Sequence, residues 1–313
     1  MSRGARSVAP IVPPFLQGGE RLAVVAASGV LHRGRLAGGV AWLRSRGYGV
    51  SVSANAGLRH GYLAGADARR ARALNDAIGD RGAGALMFAR GGYGMTRILP
   101  DLHLSALRRH PRLLMGYSDV TALFMALQSP GPYLCMYGPV VSELSDPGNF
   151  REASLRHALE GRPEAFNLEY ARRDVVRAGR GAGLVIGGCL SLLVSLLGTP
   201  WDRSYDGCIL FFEDVAEEPY RIDRMLTQLR NAGKLARLRG MIIGSLTRCL
   251  PAPGKSSLTV RQVIEEVTSG STYPIVWNIK AGHLRRRIVL PLGAHATLDT
   301  SRRSLRYRLN GSR

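Results

Sequence analysis

Residues 112–121 read Arg112-Leu-Leu-Met-Gly-Tyr-Ser-Asp-Val-Thr121 and place a short apolar run directly before a helical pattern. Leu113–Met115 are typical of a buried strand, and apolar residues then recur at helical spacing from Val120 to Leu127. A strand that passes into a helix at a serine has the geometry of a nucleophile elbow, which exposes the hydroxyl and points the first free N–H groups of the helix towards it. The stretch therefore makes Ser118 a candidate nucleophile.

A simpler interpretation of the same stretch remains open. Serine and aspartate are both preferred at helix N-caps, so Ser118 or Asp119 could serve only as a cap. The G-x-S-x-G pattern is also incomplete, because Val120 stands at the position of the last glycine. Catalysis by Ser118 therefore depends on partners elsewhere in the chain.

Strands and helices alternate on both sides of this stretch. Residues 21–27, 48–53 and 84–89 read as strands, with helical patterns between them. This alternation predicts an α/β fold with a doubly wound, mainly parallel sheet covered by helices on both faces. Ligands of such sheets bind beyond the carboxyl ends of the strands, where the Arg90 loop and Ser118 both lie.

The second part of the chain begins after an Arg- and Gly-rich stretch. We predict an N-terminal α/β domain at 18–158, a linker at 159–183 and a smaller C-terminal α/β or β-rich domain at 184–309. Short apolar segments separated by helical patterns support the last of these, including a strand that ends at Glu213 and Asp214.

The composition suits a large core and excludes some site classes. The chain has 313 residues, 45% of them hydrophobic and 38 of them glycine, enough for one large or two ordinary domains. The cysteines are far apart and form no C-x-x-C pair, so we expect neither a disulfide framework nor a zinc site, but free thiols in a reducing compartment. They are Cys135, Cys189, Cys208 and Cys249.

The formal charge of +20 arises from 43 basic and 23 acidic residues. The arginines are scattered and follow no single helix face, so we expect a solvated basic surface and no nucleic-acid partner. A polyanionic partner, such as a cell-wall polymer or anionic lipid, remains a possible alternative.

Two uncharged runs, 120–142 and 181–201, read as core strand and helix pieces. Residues 1–19 read as a loose arm without a signal sequence. We therefore expect no membrane partner and a cytoplasmic location.

A serine nucleophile needs a base and an orienting acid. Among seven histidines, His283 follows a strand and a glycine, which places it in a strand-end loop. The best acid is Glu213, at the end of an apolar strand, because a carboxylate is costly to bury without a partner. The alternative is that Glu213 or Asp214 caps a helix or forms a salt bridge with Arg221 or Arg224 on the following helix.

The sequence resembles the LD-carboxypeptidase family, serine peptidases that include the microcin C self-immunity hydrolases. The matching blocks run in family order from Arg21 to Asp299. They are Gly61-Tyr-Leu-Ala-Gly65, Ala89-Arg-Gly-Gly-Tyr-Gly94, Gly116-Tyr-Ser-Asp-Val-Thr121, Gly187-Gly188, Leu196-Leu-Gly-Thr-Pro200, Phe212-Glu-Asp-Val215, Pro219-Tyr-Arg-Ile-Asp-Arg-Met-Leu226, Gly282-His283 and Leu290-Pro-Leu-Gly293.

The resemblance implies a role for each of these site residues. The nucleophile would be Ser118, the base His283 and the orienting acid Glu213, acting without a metal or cofactor through an acyl-enzyme. Backbone N–H groups of Gly91 or Gly92 and of Asp119 would form the oxyanion hole. The resemblance also implies a class I glutamine amidotransferase-like first domain and a homodimer.

Substrate contacts are less defined. Arg90 and Tyr93, in the glycine loop, are candidates to bind substrate, and the alternative for Arg90 is that it ties down that loop. Departures from the family pattern include Cys189, Lys280-Ala281, Arg287 and Ser28 with its neighbours. They leave the triad intact but put substrate choice in doubt, and three arginines beside His283 would favour an anionic substrate.

Three functions follow from these observations. The first is release of terminal D-alanine from a murein tetrapeptide. The second is hydrolysis of a peptidyl-nucleotide antibiotic, for which Trp201 and Trp277 could hold the nucleobase if they are not packing residues. The third is a non-catalytic basic binding protein on a degenerate scaffold.

Overall fold

The computed structural model describes residues 9–129 and 131–309. In chain order the strands are β1 (Arg21–Val25), β2 (Gly49–Val52), β3 (Ala83–Phe88), β4 (Leu113–Gly116), β5 (Cys135–Tyr137), β6 (Asn167–Glu169), β7 (Val175–Arg177), β8 (Arg180–Cys189), β9 (Cys208–Val215), β10 (Gly240–Thr247), β11 (Ile275–Val276), β12 (Leu290–Leu292), β13 (His295–Asp299) and β14 (Ser304–Arg308). The helices are α1 (Arg33–Ser45), α2 (Asp67–Gly79), α3 (Met95–Ile98), α4 (Leu104–Arg109), α5 (Thr121–Leu127), α6 (Glu152–Glu160), α7 (Leu190–Ser195), α8 (Pro219–Asn231) and α9 (Val260–Val267).

The first sheet has the strand order β12-β5-β4-β3-β1-β2. Neighbours among β1 to β5 are parallel, whereas β12 pairs antiparallel with β5. Alternate residues of one strand face opposite cores: Leu114 lies in the core shared with α2 and α5, and Leu113 and Met115 lie in the core shared with α1 and α6. Helices therefore cover both faces, which confirms the predicted doubly wound parallel architecture.

The second sheet has the order β6-β14-β13-β8-β9-β10-β11-β7. Its centre, β8 to β11, is parallel, and antiparallel strands extend it on both sides. One continuous apolar core joins this sheet to the first, since Phe211 and Ile243 belong to the same cluster as Leu114 and Phe124. The carboxyl ends of β4 and β9 are thereby held together.

Two stretches differ from their predicted roles. Residues 159–183, predicted as a linker, contain β6, β7 and the start of β8, all of which pair within the second sheet. β12, which lies in the predicted C-terminal domain, is instead an edge strand of the first sheet. The chain thus returns to its first half after completing most of its second, and the exact domain boundaries stay a prediction.

The predicted N-terminal arm is anchored where the structure describes it. Ile11 pairs with residues 132–134 through two backbone hydrogen bonds of 2.9 Å, and Leu16 is buried. Residues 1–8 lie outside the described part. Within 9–129 and 131–309, no helix combines the length and apolar character needed to cross a bilayer.

Gly188, at the end of β8, lies directly against Thr121 at the start of α5. Its φ of +144° lies in a region that favours glycine, and an added Cβ would overlap the side chain of Thr121. The Oγ1 of Thr121 also accepts a 2.9 Å hydrogen bond from the N–H of Cys189. The join between the sheets therefore requires a residue without a side chain at this position.

Gly188→Ala should lower the free energy of unfolding by about 1–3 kcal/mol, because backbone strain and overlap with Thr121 act together. Urea denaturation followed by circular dichroism measures the change. Gly34→Ala is the matched control, since Gly34 lies exposed in α1 with open space around it, and we expect that change to be neutral or slightly stabilising. Equal stability of the two variants would contradict the proposed close contact.

Candidate active site

Ser118 lies on a sharp turn between β4 and α5. Its φ of +64° is unusual for a residue with a side chain, and a short 3-10 turn over 118–120 leads into the helix. A Cβ built on Gly91 would lie 3.0 Å from the Cβ of Ser118 and 3.2 Å from its Oγ. Strain of this kind recurs at functional sites, and the turn has the form expected of a nucleophile elbow.

His283 and Glu213 come together at this turn. The Nε2 of His283 lies 3.2 Å from the Oγ of Ser118, and its Nδ1 lies 2.7 Å from the Oε2 of Glu213. The backbone N–H of His283 donates to the same carboxylate oxygen at 2.9 Å. Glu213 is fully buried, whereas the imidazole keeps 17% of its exposure. The predicted serine, histidine and glutamate therefore meet in space.

Gly282 explains how the histidine loop approaches the carboxylate so closely. Its φ is +104°, and an added Cβ would overlap the side-chain carboxyl of Glu213. Of the alternative roles, Asp214 takes the capping one, since its Oδ2 accepts a 2.8 Å hydrogen bond from the N–H of Ser191 at the start of α7. Glu213 makes no salt bridge with α8 in the described part of the chain, where Arg221 lies 3.6 Å from Glu217.

Tyr137, which the sequence did not single out, completes the arrangement. Its buried hydroxyl donates to the Oε1 of Glu213 at 2.6 Å and accepts from the backbone N–H of Ser118 at 3.2 Å. Burial raises the pKa of Tyr137 well above its usual value, so the hydroxyl keeps its proton and remains a donor. The four residues form a closed ring of hydrogen bonds from the hydroxyl of Ser118 back to its own N–H.

The glycine loop after β3 faces the candidate nucleophile. The carbonyl of Gly91 accepts a 3.1 Å hydrogen bond from the N–H of Gly29. In a trans peptide the next N–H, that of Gly92, points the opposite way. The N–H of Asp119 lies at the start of the turn, where helical N–H groups lack an acceptor within the helix. The oxyanion-hole roles of Gly91, Gly92 and Asp119 stay a prediction.

The side chain of Asp119 is buried beside this loop. Its Oδ2 accepts a 2.8 Å hydrogen bond from the N–H of Met95, which ties α3 to the elbow. Burial raises the pKa of Asp119, despite hydrogen bonds that favour the carboxylate. The start of α3 is thus anchored by the carboxyl group of Asp119, and burial disfavours the charged form of that group.

Arg90 and Tyr93 occupy different positions on the rim. The guanidinium of Arg90 donates to the carbonyl of Val30, which agrees with a role in tying down the loop. Tyr93 is 47% exposed and its ring lies 5.8 Å from that of Tyr62. Substrate binding by either residue stays a prediction.

The arginines that follow His283 are largely neutralised. Arg285 pairs with Asp146 at 3.0 Å, and Arg287 pairs with Glu143 at 2.8 Å and is buried. Two of the three expected cations are therefore engaged by carboxylates, which weakens the expectation of an anionic substrate at this place.

Other candidate residues serve the core. Trp201 and Trp277 pack against the main apolar cluster, and the four cysteines are buried and unpaired. In the described part of the chain, no three side chains of histidine, cysteine, aspartate or glutamate gather as a metal site would require.

A serine hydroxyl aligned with a histidine that an acid orients is the arrangement used by serine hydrolases. Comparison with known families gives the more specific result: residues 22–138 match the LD-carboxypeptidase N-terminal domain and residues 182–298 match the LD-carboxypeptidase C-terminal domain. The chain belongs to the LD-carboxypeptidase family, and it is a carboxypeptidase.

Individual relatives agree with this assignment. A protein of Bacillus subtilis named "probable murein peptide carboxypeptidase" is 32% identical over 93% of this chain and 92% of its own length. The crystal structure of a muramoyltetrapeptide carboxypeptidase from Oxalobacter formigenes is 28% identical, covers 92% of this chain and 97% of its own, and superposes with a TM-score of 0.78. A microcin C7 self-immunity protein in complex with aspartyl sulfamoyl adenosine superposes with a TM-score of 0.85 over 95% of this chain and 98% of its own, but at 22% identity it shows the fold alone.

Asp119→Asn should change the pH dependence of stability. Because burial raises the pKa of Asp119 above its ordinary 3.8, the folded state binds the proton more tightly than the unfolded state. The wild type then loses stability as pH rises from about 4 through the raised pKa, and no further loss follows above it. Asparagine remains neutral, so the variant should gain stability relative to the wild type over that range.

Urea unfolding between pH 4 and pH 8 measures this difference. Asp76→Asn, at an exposed position of α2, is the control for replacing a carboxyl by an amide where the side chain is not buried. A pH-independent difference for Asp119→Asn would show that the carboxyl is not penalised by burial.

Tyr137→Phe should lower kcat/KM for peptide hydrolysis by about tenfold or more, because Glu213 loses a donor and Ser118 loses an acceptor. Tyr133→Phe is the control: Tyr133 is equally buried, and its hydroxyl donates to the carbonyl of Arg112 at 2.7 Å away from the site. Both variants should lose about 1–3 kcal/mol of stability, but only the first should lose activity. Equal activity of the two would remove Tyr137 from the site.

Proposed function

We propose that this carboxypeptidase releases the terminal D-alanine from a murein tetrapeptide through an acyl-enzyme on Ser118. The observation that supports the chemistry most strongly is the 3.2 Å contact of Ser118 Oγ with His283 Nε2, together with the 2.7 Å contact of His283 Nδ1 with Glu213. The murein peptide is supported by the names of the relatives from Bacillus subtilis and Oxalobacter formigenes.

The reaction follows from the position of each group. His283 accepts the proton of Ser118 as the hydroxyl oxygen attacks the carbonyl before D-alanine. The carbonyl oxygen, now negatively charged, is stabilised by N–H groups of the glycine loop and of Asp119. His283 then gives its proton to the nitrogen of D-alanine, which leaves as the acyl-enzyme forms. A water molecule, deprotonated by His283, hydrolyses the ester and restores Ser118.

Glu213 serves this cycle by orientation. Its Oε2 accepts from Nδ1–H of His283, which leaves Nε2 free to receive the serine proton. The positive charge that forms on the imidazole lies against the buried carboxylate, whose other oxygen is held by Tyr137. The transition state is thus stabilised by a charge already in place before substrate binds.

The two other functions are less well supported. A peptidyl-nucleotide substrate would need an aromatic partner for its base, and Trp201 and Trp277 are packed against the core. A non-catalytic binding role does not explain why Ser118, His283, Glu213 and Tyr137 are joined by hydrogen bonds.

We further propose a cytoplasmic homodimer without a membrane partner. The buried free thiols suit a reducing compartment, and the family resemblance suggests the dimer. The amidotransferase-like character of the first sheet is likewise a proposal, supported by its parallel strand order and by the nucleophile candidate after β4.

Incubation of the purified protein with murein tetrapeptide and, separately, with a peptidyl-nucleotide tests the proposal by mass spectrometry of the products. We expect D-alanine from the first substrate only, and a loss of about a thousandfold or more in rate for Ser118→Ala. Ser195→Ala, at an exposed position of α7, should retain full activity. Release of D-alanine by Ser118→Ala at the wild-type rate would contradict the proposed mechanism. Absence of release by the wild type would contradict the proposed substrate.

A further inference from the structure

A second polar cluster lies directly behind the imidazole of His283. The hydroxyl of Tyr117 donates to the Oε1 of Glu143 at 2.6 Å. The Nη1 of Arg287 lies 2.9 and 2.8 Å from the two oxygens of the same carboxylate. The guanidinium carbon of Arg287 is also 4.6 Å from the ring centroid of Tyr117, so each of the three side chains contacts the other two.

This cluster joins three segments that surround the base. Tyr117 immediately precedes Ser118, Glu143 closes a turn after β5, and Arg287 ends the loop that carries His283. The Nε of Arg287 donates to the carbonyl of Leu284 at 2.9 Å, and its backbone carbonyl accepts from Arg151 at 2.9 Å. The loop has no helix or strand of its own between residues 282 and 287, so these contacts, together with those of Arg285 and Arg286, hold it in place.

Tyr117 contacts the base through its aromatic ring. The rings of Tyr117 and His283 lie 4.7 Å apart, centroid to centroid, at an angle of 57°. The two nitrogens of the imidazole are held by Glu213 and Ser118. Tyr117 therefore limits rotation of the imidazole out of the plane in which both of its nitrogens are used.

The charges in the cluster cancel. Burial by itself lowers the pKa of Arg287, but the neighbouring oxygens of Tyr117 and Glu143 outweigh burial and raise it, so the guanidinium is charged. Burial raises the pKa of Tyr117, which keeps its proton. The remaining charges around His283 are Glu213 in front, the Arg285–Asp146 pair and the exposed Arg286.

We propose that Tyr117, Glu143 and Arg287 form a positioning unit that fixes the imidazole of His283 and keeps the charge behind it neutral. The proposal rests on the role of His283 as the base in the proposed function. None of the three touches the reacting atoms, and their effect is exerted through the ring of Tyr117 and through the balance between one carboxylate and one guanidinium.

Single charge removals give opposite effects under this proposal. Glu143→Gln leaves the guanidinium uncompensated and disfavours a protonated imidazole, so the acid limb of kcat/KM should move to lower pH. Arg287→Met leaves the carboxylate uncompensated and should move the same limb to higher pH. Each shift should be about half a pH unit, and kcat should fall about tenfold with a smaller change in KM.

Two further variants separate charge from packing. The double variant Glu143→Gln with Arg287→Met should return the acid limb to its wild-type position while kcat stays low. Arg287→Lys should keep the wild-type pH profile and recover part of kcat, because charge is retained but the two-point contact is not. The pair Lys234–Asp202, a partly buried ion pair elsewhere, supplies controls Lys234→Met and Asp202→Asn, for which we expect an unchanged profile.

A readout without substrate separates this proposal from the proposed function. Diethyl pyrocarbonate acylates neutral imidazole, and peptide mapping by mass spectrometry gives the pH midpoint of modification at His283. Its midpoint should move in the same opposite directions in the two single variants, even if murein tetrapeptide is not the substrate. Shifts of both single variants in one direction, or none in either, would overturn the positioning unit. If a single variant fails to fold, the double variant and Arg287→Lys decide the outcome.

Discussion

The candidate active site depends on a closed ring of hydrogen bonds through Ser118, His283, Glu213 and Tyr137. Two members come from the first sheet and its elbow, and two come from β9 and the loop after β11. The ring can close only if both sheets share one core and if glycines stand at the closest approaches. Gly188 against Thr121 and Gly282 against Glu213 meet that requirement. A buried carboxylate is tolerated here because each of its hydrogen-bond partners is a donor.

The charges near the site are more nearly balanced than the overall composition suggests. The chain carries a formal charge of +20, but Arg285 and Arg287, two of the three arginines that follow His283, are held by carboxylates from the turns after β5. An unpaired cation beside the base would oppose the imidazolium that forms during proton transfer. Pairing Arg287 with Glu143 removes that conflict while the guanidinium still packs on Tyr117.

Much of the fold and the principal side chains could be predicted from the sequence. Apolar runs fixed the strands around Ser118, and the strand-end positions of Glu213 and His283 made them candidates. Their joint role came from the resemblance to a family, because no periodicity shows that residues so far apart in the chain meet. Tyr137 could not be found in this way: its position in an apolar run predicts burial, but not what its hydroxyl contacts.

The two differences between the predicted and the observed fold also arise from contacts between segments that are distant in the chain. The richness of residues 159–183 in arginine and glycine predicts a linker, yet edge strands such as β6 and β7 need only one apolar face. The placement of β12 in the first sheet depends on pairing with β5, far away in sequence. The cluster of Tyr117, Glu143 and Arg287 also draws on three separate segments, so the spacing of charged residues along the chain does not predict it.

The most direct test of the ring is nuclear magnetic resonance of the protein labelled with nitrogen-15 at histidine. At neutral pH we expect a strongly downfield Nδ1–H proton for His283, identified by its loss in His283→Ala, together with an unprotonated Nε2. The resonance should shift upfield in Glu213→Gln and change in Tyr137→Phe. A His283 that carries its proton on Nε2, or an Nδ1–H resonance that is indifferent to both substitutions, would contradict the ring.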